Sequence, residues 1–375
     1  MFKKSLIAVA VLGATAFSVQ AADVTMYGKV DLGLQYKSSE VTVGDKTMVD
    51  EDTFSMENGR NSASRFGIKG SEDLGNGMKV SFQLENGFKA DSGEFKTSGK
   101  LFDRQATVAL SSDFGTLTMG RVGGVGSGAG FDLGSGDVLG LLQSALYDNM
   151  VTYQTPKFAG LQATVQYSFN EDSVKETARE GSSAVNRYAS AALTGDFGAL
   201  QTVLAYEFQN YQSFGTDVNP SVEDGHTVYL GGNYDFGVTR LFAMAQYFKG
   251  LSATQLTAIA DETRAETADN MWSDGAKGYG LHLGTVTPVF GGDFTAGLYF
   301  VDAKFQNGAN AANQNDADLS YYGAALRYGY PLSKRTTVYT GVGYGVSKLE
   351  FNNNGQDVEA KNQVGQAYLG LTHMF

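Results

Sequence analysis

The sequence predicts an all-β fold, a transmembrane antiparallel β-barrel of about 16 strands, and three features predict it. Apolar and polar residues alternate with period two along recurring segments, short turns alternate with long polar connections, and the chain is too polar for membrane helices. It holds 48 glycines and 12% aromatics at a mean hydropathy of -0.20. A barrel wall tolerates that composition, because only every second residue of a tilted strand of about 9 to 11 residues meets lipid.

The chain starts with an export signal. Lys3 and Lys4 precede an apolar stretch from Leu6 to Phe17, and Val19-Gln20-Ala21 supplies a small-residue cleavage pattern. The apolar run is too short to cross a bilayer, so residues 1–21 are expected to leave on export and residues 22–375 to form one domain. Its four prolines, Pro156, Pro220, Pro288 and Pro331, fall in expected turns or loops, where a missing amide hydrogen costs little.

The two-faced pattern is clear from Val24 to Tyr36, where Val24, Met26, Val30, Leu32 and Leu34 alternate with Thr25, Lys29, Asp31 and Gln35. It returns from Met78 to Phe88, with Met78, Val80, Phe82 and Leu84 against Lys79, Ser81, Gln83 and Glu85. Period alone does not separate a soluble sandwich from a barrel; the connections do. Short links recur at Leu74 to Gly77, Asp113 to Gly115, Pro156 to Gly160, Asp196 to Gly198, Asp235 to Gly237, Pro288 to Asp293 and Tyr330 to Lys334. Between them lie long polar segments, expected as loops over 37–63, 89–100, 122–147, 170–186, 209–225, 250–276, 306–318 and 350–363. Outer-membrane barrels carry this asymmetry, and about 16 strands leave an aqueous channel rather than a filled interior.

Charge and cysteine content narrow the function. With 40 acidic against 28 basic residues the formal charge is -12, and it becomes -14 without residues 1–21, which carry two lysines and no acid. Nucleic acid is thus excluded as a partner, since counterion release needs clustered Lys and Arg. The chain has no cysteine, so stability must come from the hydrogen-bonded wall and not from disulfides.

Several stretches resemble a known family: Val24-Thr-Met-Tyr-Gly-Lys29-Val-Asp31, Ser64-Arg65-Phe-Gly-Ile-Lys69-Gly70-Ser-Glu-Asp73-Leu-Gly, Phe114-Gly-Thr-Leu-Thr-Met-Gly120-Arg121 and the closing Gly370-Leu-Thr-His373-Met-Phe375. In order and spacing they resemble the general diffusion porins of Gram-negative bacteria, in particular the group ending in His-x-Phe. The resemblance implies a homotrimer of sixteen-stranded barrels in the outer membrane, each narrowed by an inward-folded third loop. Its partners would be outer-membrane lipid and lipopolysaccharide, the barrel-assembly machinery, and the ions and small hydrophilic solutes that diffuse through. It further implies that Lys29, Arg65 and Arg121 line a basic wall of the constriction and that Phe375 is read as an assembly signal.

Strand phase puts Lys29 and Arg65 inside. Arg121 follows Leu117 and Met119 in the apolar phase, so reaching the interior requires a bulge or a strand end. The facing wall is expected from the third loop, 122–147, whose glycine-rich start can bend inward and whose acids are Asp132 and Asp137. Where related porins place a basic residue after that loop, this chain has Thr152 and Gln154, which predicts a thinner basic wall. With the -14 charge and acidic loops such as Asp50-Glu51-Asp52, the expectation is a weak cation preference.

Other signals carry little. Asp-Phe-Gly occurs three times, each in a short turn, without the other kinase elements. Gly124-Val-Gly126-Ser-Gly128 lacks the βαβ setting of a dinucleotide site, and His226, His282 and His373 lack ligand spacing. No cofactor, metal or catalytic residue is expected. A lipid-facing hydrolase would need His282 on the outer face, and a sugar track would need more inward aromatics than Tyr27 and Tyr368. A plugged transporter would need a globular segment before the first strand. An adhesin or scaffold barrel with a closed lumen is the alternative function.

Overall fold

The computed structural model describes residues 23–128, 145–170, 186–211, 223–251, 274–306, 316–353 and 356–375; the expected export signal, 1–21, lies outside them. Strand β1 (Asp23–Val43) turns tightly into β2 (Lys46–Asn58), and after residues 59–64 the chain resumes as β3 (Arg65–Gly75). β1 pairs with β2 above Leu32 and with β3 from Asp23 to Lys29. β2 and β3 therefore share one place in the wall, and the seventeen strands close as a barrel of 16 positions.

One side continues with β4 (Met78–Gly87), β5 (Gln105–Ser112), β6 (Gly115–Gly123) and β7 (Leu146–Gln154), with a single helical turn, α1 (Val125–Gly128), after β6. β8 (Leu161–Ser168), β9 (Arg187–Phe197), β10 (Leu200–Asn210), β11 (Gly225–Asp235) and β12 (Arg240–Leu251) follow. β13 (Ala276–Val289), β14 (Gly292–Phe305), β15 (Ala317–Ser333), β16 (Thr336–Asn353) and β17 (Gln356–Met374) lead back to β1. The seam runs from Lys29↔Met374 to Val43↔Ala360. Closure leaves no open edge among the described strands, as lipid requires, since it offers backbone groups no partner outside the ladder.

The faces follow the period. On β10, Val203, Ala205 and Glu207 are buried inside, while Leu204 at 51% and Tyr206 at 41% exposure point out. A soluble fold would be inside out with such a surface; here lipid covers it. Phe114, Phe158 and Phe290 stand exposed on the short turns, at the level of an aromatic girdle. Each Asp-Phe-Gly sits at a turn, and at one of them Asp235 Oδ1 accepts the Gly237 N–H at 2.8 Å. Asn76-Gly77, with φ of 53° and 75°, is the positive-φ pair of a tight hairpin.

Two of the expected loops are mainly strand. β1 and β2 run through most of 37–63, and β16 and β17 through most of 350–363. Beyond the bilayer both faces of a hairpin meet water, so alternation disappears while the ladder continues. Polarity there marked the membrane boundary and not the strand end.

Candidate functional site

The inner wall near β1 and β3 is basic. Lys29 and Arg65 stand directly opposite each other in register. Glu85 of β4 lies behind them, buried, and accepts Arg104 Nε at 2.7 Å and the Tyr27 hydroxyl at 2.8 Å. Arg65 Nε is 4.0 Å from the same carboxylate. Side-chain exposure of 25% and 26% for the arginines against 8% for Glu85 places the cations in front of the acid. Two carboxylates, Glu85 and the Asp31 beside Lys29, do not neutralise two guanidiniums and an ammonium, so the face toward the interior is cationic. Tyr27 lies flat over Gly67, where a Cβ would sit 2.7 Å from its hydroxyl oxygen.

Residues 59–64, between β2 and β3, tuck inward and add to this wall. Buried Asp31 holds them: it accepts the Ser62 N–H at 3.1 Å, the Tyr339 hydroxyl at 2.6 Å and the Thr372 hydroxyl, and its backbone N–H donates to Ser64 Oγ at 3.0 Å. Lys29 Nζ donates to Ser62 Oγ at 3.1 Å. Arg60 donates to Gln366 at 2.6 Å and stacks over the Tyr368 ring at 5.1 Å. Asn61 donates to Thr372 and accepts from Arg327, both at 3.0 Å. Arg60, Arg104 and Arg327 escaped the sequence reading. Arg327 had a legible signal, a lone cation in the inward phase of β15. Arg104 precedes its strand, and Arg60 sits in what reads as a loop.

Arg121 is not brought to this cluster. The β5–β6 register runs through Leu110↔Leu117, Val108↔Met119 and Ala106↔Arg121, and Gly120, just before Arg121, has a φ of 124°. The irregularity is on the other side: Gly120↔Met150 is followed by Val122↔Tyr147, and the extra residue belongs to β7, where Asn149 has φ of 52°. Arg121 pairs with Asp148 and donates to the Asp103 carbonyl, and Lys100 reaches the same Asp148 at 2.8 Å. Thr152 and Gln154 of β7 add no charge.

The third long connection starts inside the barrel. Val125, 2% exposed, packs with Ala192, Val203, Ala205, Tyr229 and Met244. The Val125 N–H donates to the Tyr188 hydroxyl oxygen at 3.2 Å and the Gly126 N–H to Glu207 at 3.1 Å. Glu207 also accepts Tyr188 at 2.8 Å and Tyr229 at 3.1 Å. Asp132 and Asp137 lie outside the described residues.

His282 is 3% exposed and stacks on inward Tyr299 at 4.8 Å, so it faces the interior and not lipid. Among the described residues no three His, Cys, Asp or Glu side chains gather as a metal site. Phe375 lies on the outer face; its N–H and C=O bond Gly28 at 3.1 and 3.0 Å, and its ring covers Gly28.

Comparison with known proteins agrees with this geometry. The sequence profile described as Gram-negative porin matches residues 8–371. An outer membrane porin protein of Bordetella pertussis is 33% identical over 372 residues, covering 90% of this chain and 92% of that protein. The structure is similar to the anion-selective porin from Comamonas acidovorans, with a TM-score of 0.65, 25% identity, and coverage of 94% of this chain and 100% of that one. It shares its fold with the trimer form of OmpT from Vibrio cholerae, at a TM-score of 0.56 and 17% identity over 95% of this chain and 100% of that one.

The weak cation preference expected from net charge finds no support here. Asp50, Glu51 and Asp52 are exposed on β2, in the hairpin beyond the bilayer, and charges more than about 8 Å away through saline are largely screened. Among the described residues the charge on the inner wall around Lys29 and Arg65 is basic.

Proposed function

Since this chain belongs to the Gram-negative porin family and forms a channel across the outer membrane, we propose that it conducts ions and small hydrophilic solutes by passive diffusion with a preference for anions. The observation that carries the preference is the inner cluster Lys29, Arg60, Arg65, Arg104 and Arg327, beside which the acids Asp31 and Glu85 are buried and already bonded. Coulomb's law at about 8 Å gives on the order of 0.5 to 2 kcal/mol per charge between effective dielectrics of about 80 and 20. That biases ions without trapping them. The similar Comamonas porin is anion-selective, which supports the same sign here.

The remaining roles follow from the same reading. Lys29 and Arg65 form part of the constriction, and Asp132 and Asp137 of the third connection are its candidate acids. Arg121, paired with Asp148, is the third basic residue of that wall. The chain performs no bond chemistry, loses residues 1–21 on export, and self-associates as a trimer. Its exposed aromatic turns sit among outer-membrane lipid and lipopolysaccharide, and Phe375 addresses it to the assembly machinery.

The test is single-channel recording of the detergent-folded protein in a planar lipid bilayer, first in symmetric KCl and then in a gradient. Steady openings with an anion-selective reversal potential are expected. A cation-selective sign would overturn the preference. Well-inserted protein without conductance would overturn the channel and favour a closed adhesin barrel.

A further inference from the structure

Two tyrosines at the seam interlock. Tyr368 of β17 lies across Gly341, its register partner on β16, and Tyr339 of β16 lies across Gly370, its partner on β17. At either glycine a Cβ would overlap the facing ring. The rings are 6.1 Å apart. Each then holds part of residues 59–64: Tyr339 reaches Asp31, which accepts the Ser62 N–H, and Tyr368 offers its face to Arg60.

We propose that residues 59–64 form a second constriction element, built from the barrel wall and independent of the third loop, with Arg60 as a selectivity-determining residue positioned by Tyr368. The anion part of this inference rests on the proposed preference; the placement of Arg60 does not. Of the five cations on the wall, Lys29 and Arg327 are bonded to Ser62 and Asn61, and Arg60 belongs to the segment itself. The segment thus gathers three charges that the ladder alone would leave apart. An arginine on a lumen wall would otherwise spread its charge over many rotamers. Here stacking on the ring and the bond to Gln366 confine it. The ring lies against the wall because Gly341 has no Cβ, so the guanidinium is held over it without a bulky support beneath.

The protein has no native cysteine, which allows a clean placement test. In planar bilayers, Arg60→Cys exposed to a bulky anionic methanethiosulfonate reagent is expected to lose conductance in steps, while the unsubstituted protein does not respond. Open channels of Arg60→Cys that never respond would overturn the inference whatever the ion preference.

Selectivity is tested with Arg60→Gln, Tyr368→Leu, Tyr368→Phe and Arg104→Gln in a KCl gradient. Arg60→Gln and Tyr368→Leu should lower the anion-to-cation permeability ratio roughly two- to fivefold, and Tyr368→Phe, which keeps the ring, should not. If Arg104→Gln lowers the ratio and Arg60→Gln leaves it unchanged, the basic-wall reading stands and Arg60 is not a selectivity residue. If the unsubstituted channel shows no anion preference, that reading fails, and the cysteine result alone decides whether the segment narrows the pore.

Discussion

The Tyr339 hydroxyl donates to Asp31 at 2.6 Å from two strands away, crossing β17 at the seam where the barrel closes. The same carboxylate accepts from Thr372 and from the Ser62 N–H. A buried carboxylate with three donors ties β16, β17, β1 and the inward segment at one point.

Replacing Asp31 by Ala should therefore destabilise the barrel strongly. Each buried donor left without a partner costs about 1–3 kcal/mol, and Asp31→Asn should fall between the two. Urea unfolding, followed by the mobility difference between folded and unfolded barrel on gels, measures it. A midpoint equal to that of the unsubstituted protein would show that Asp31 is dispensable.

Gly370→Ala should cost about 1–3 kcal/mol through overpacking against Tyr339. Adding Tyr339→Phe should recover little, because removing the hydroxyl oxygen leaves the ring carbon Cζ overlapping the new methyl almost as closely. Unfolding midpoints of the two single variants and the double variant test this.

Arg104→Gln leaves Glu85 short of a partner and removes one luminal charge. The anion preference should fall, and across all variants the preference should shrink between 0.1 M and 1 M KCl, where the Debye length drops from about 10 Å to about 3 Å. Reversal potentials at the two concentrations read both effects.

Glu207→Ala and Val125→Asp should loosen the start of the third connection, the first by removing the acceptor of three donors and the second by burying a charge in an apolar seat. Both should raise open-channel noise and admit larger sugars in liposome swelling, with the barrel still folded. Unchanged swelling rates would show that this anchor does not limit the aperture.

Phe375→Ala removes the ring over Gly28 and about 1 kcal/mol of half-buried apolar contact. The folded yield should drop while the conductance of the folded fraction stays the same. Reduced conductance at normal yield would place Phe375 in the pore function instead of in assembly.

Much of the wall was legible because a strand records its environment every second residue. Lys29, Arg65, Tyr27 and Tyr368 were placed on the inner face by phase alone. Arg121 shows where phase needs its neighbours. Its surroundings depend on Gly120 at a φ of 124° and on the extra residue of β7, a matter of pairing that one strand cannot state. Arg60 had no period to mark it, because its segment leaves the ladder.

The sequence by itself determined an all-β membrane barrel, its strand number, its outer-membrane setting and the inner and outer faces, since lipid and water select residue types locally along each strand. Only the tertiary structure decided which charges meet at the aperture. Asp31 and Thr372 are 341 residues apart, and Arg60 and Gln366 are 306 apart. Closing the seam makes them neighbours, and a contact made by closure leaves no local pattern in the chain.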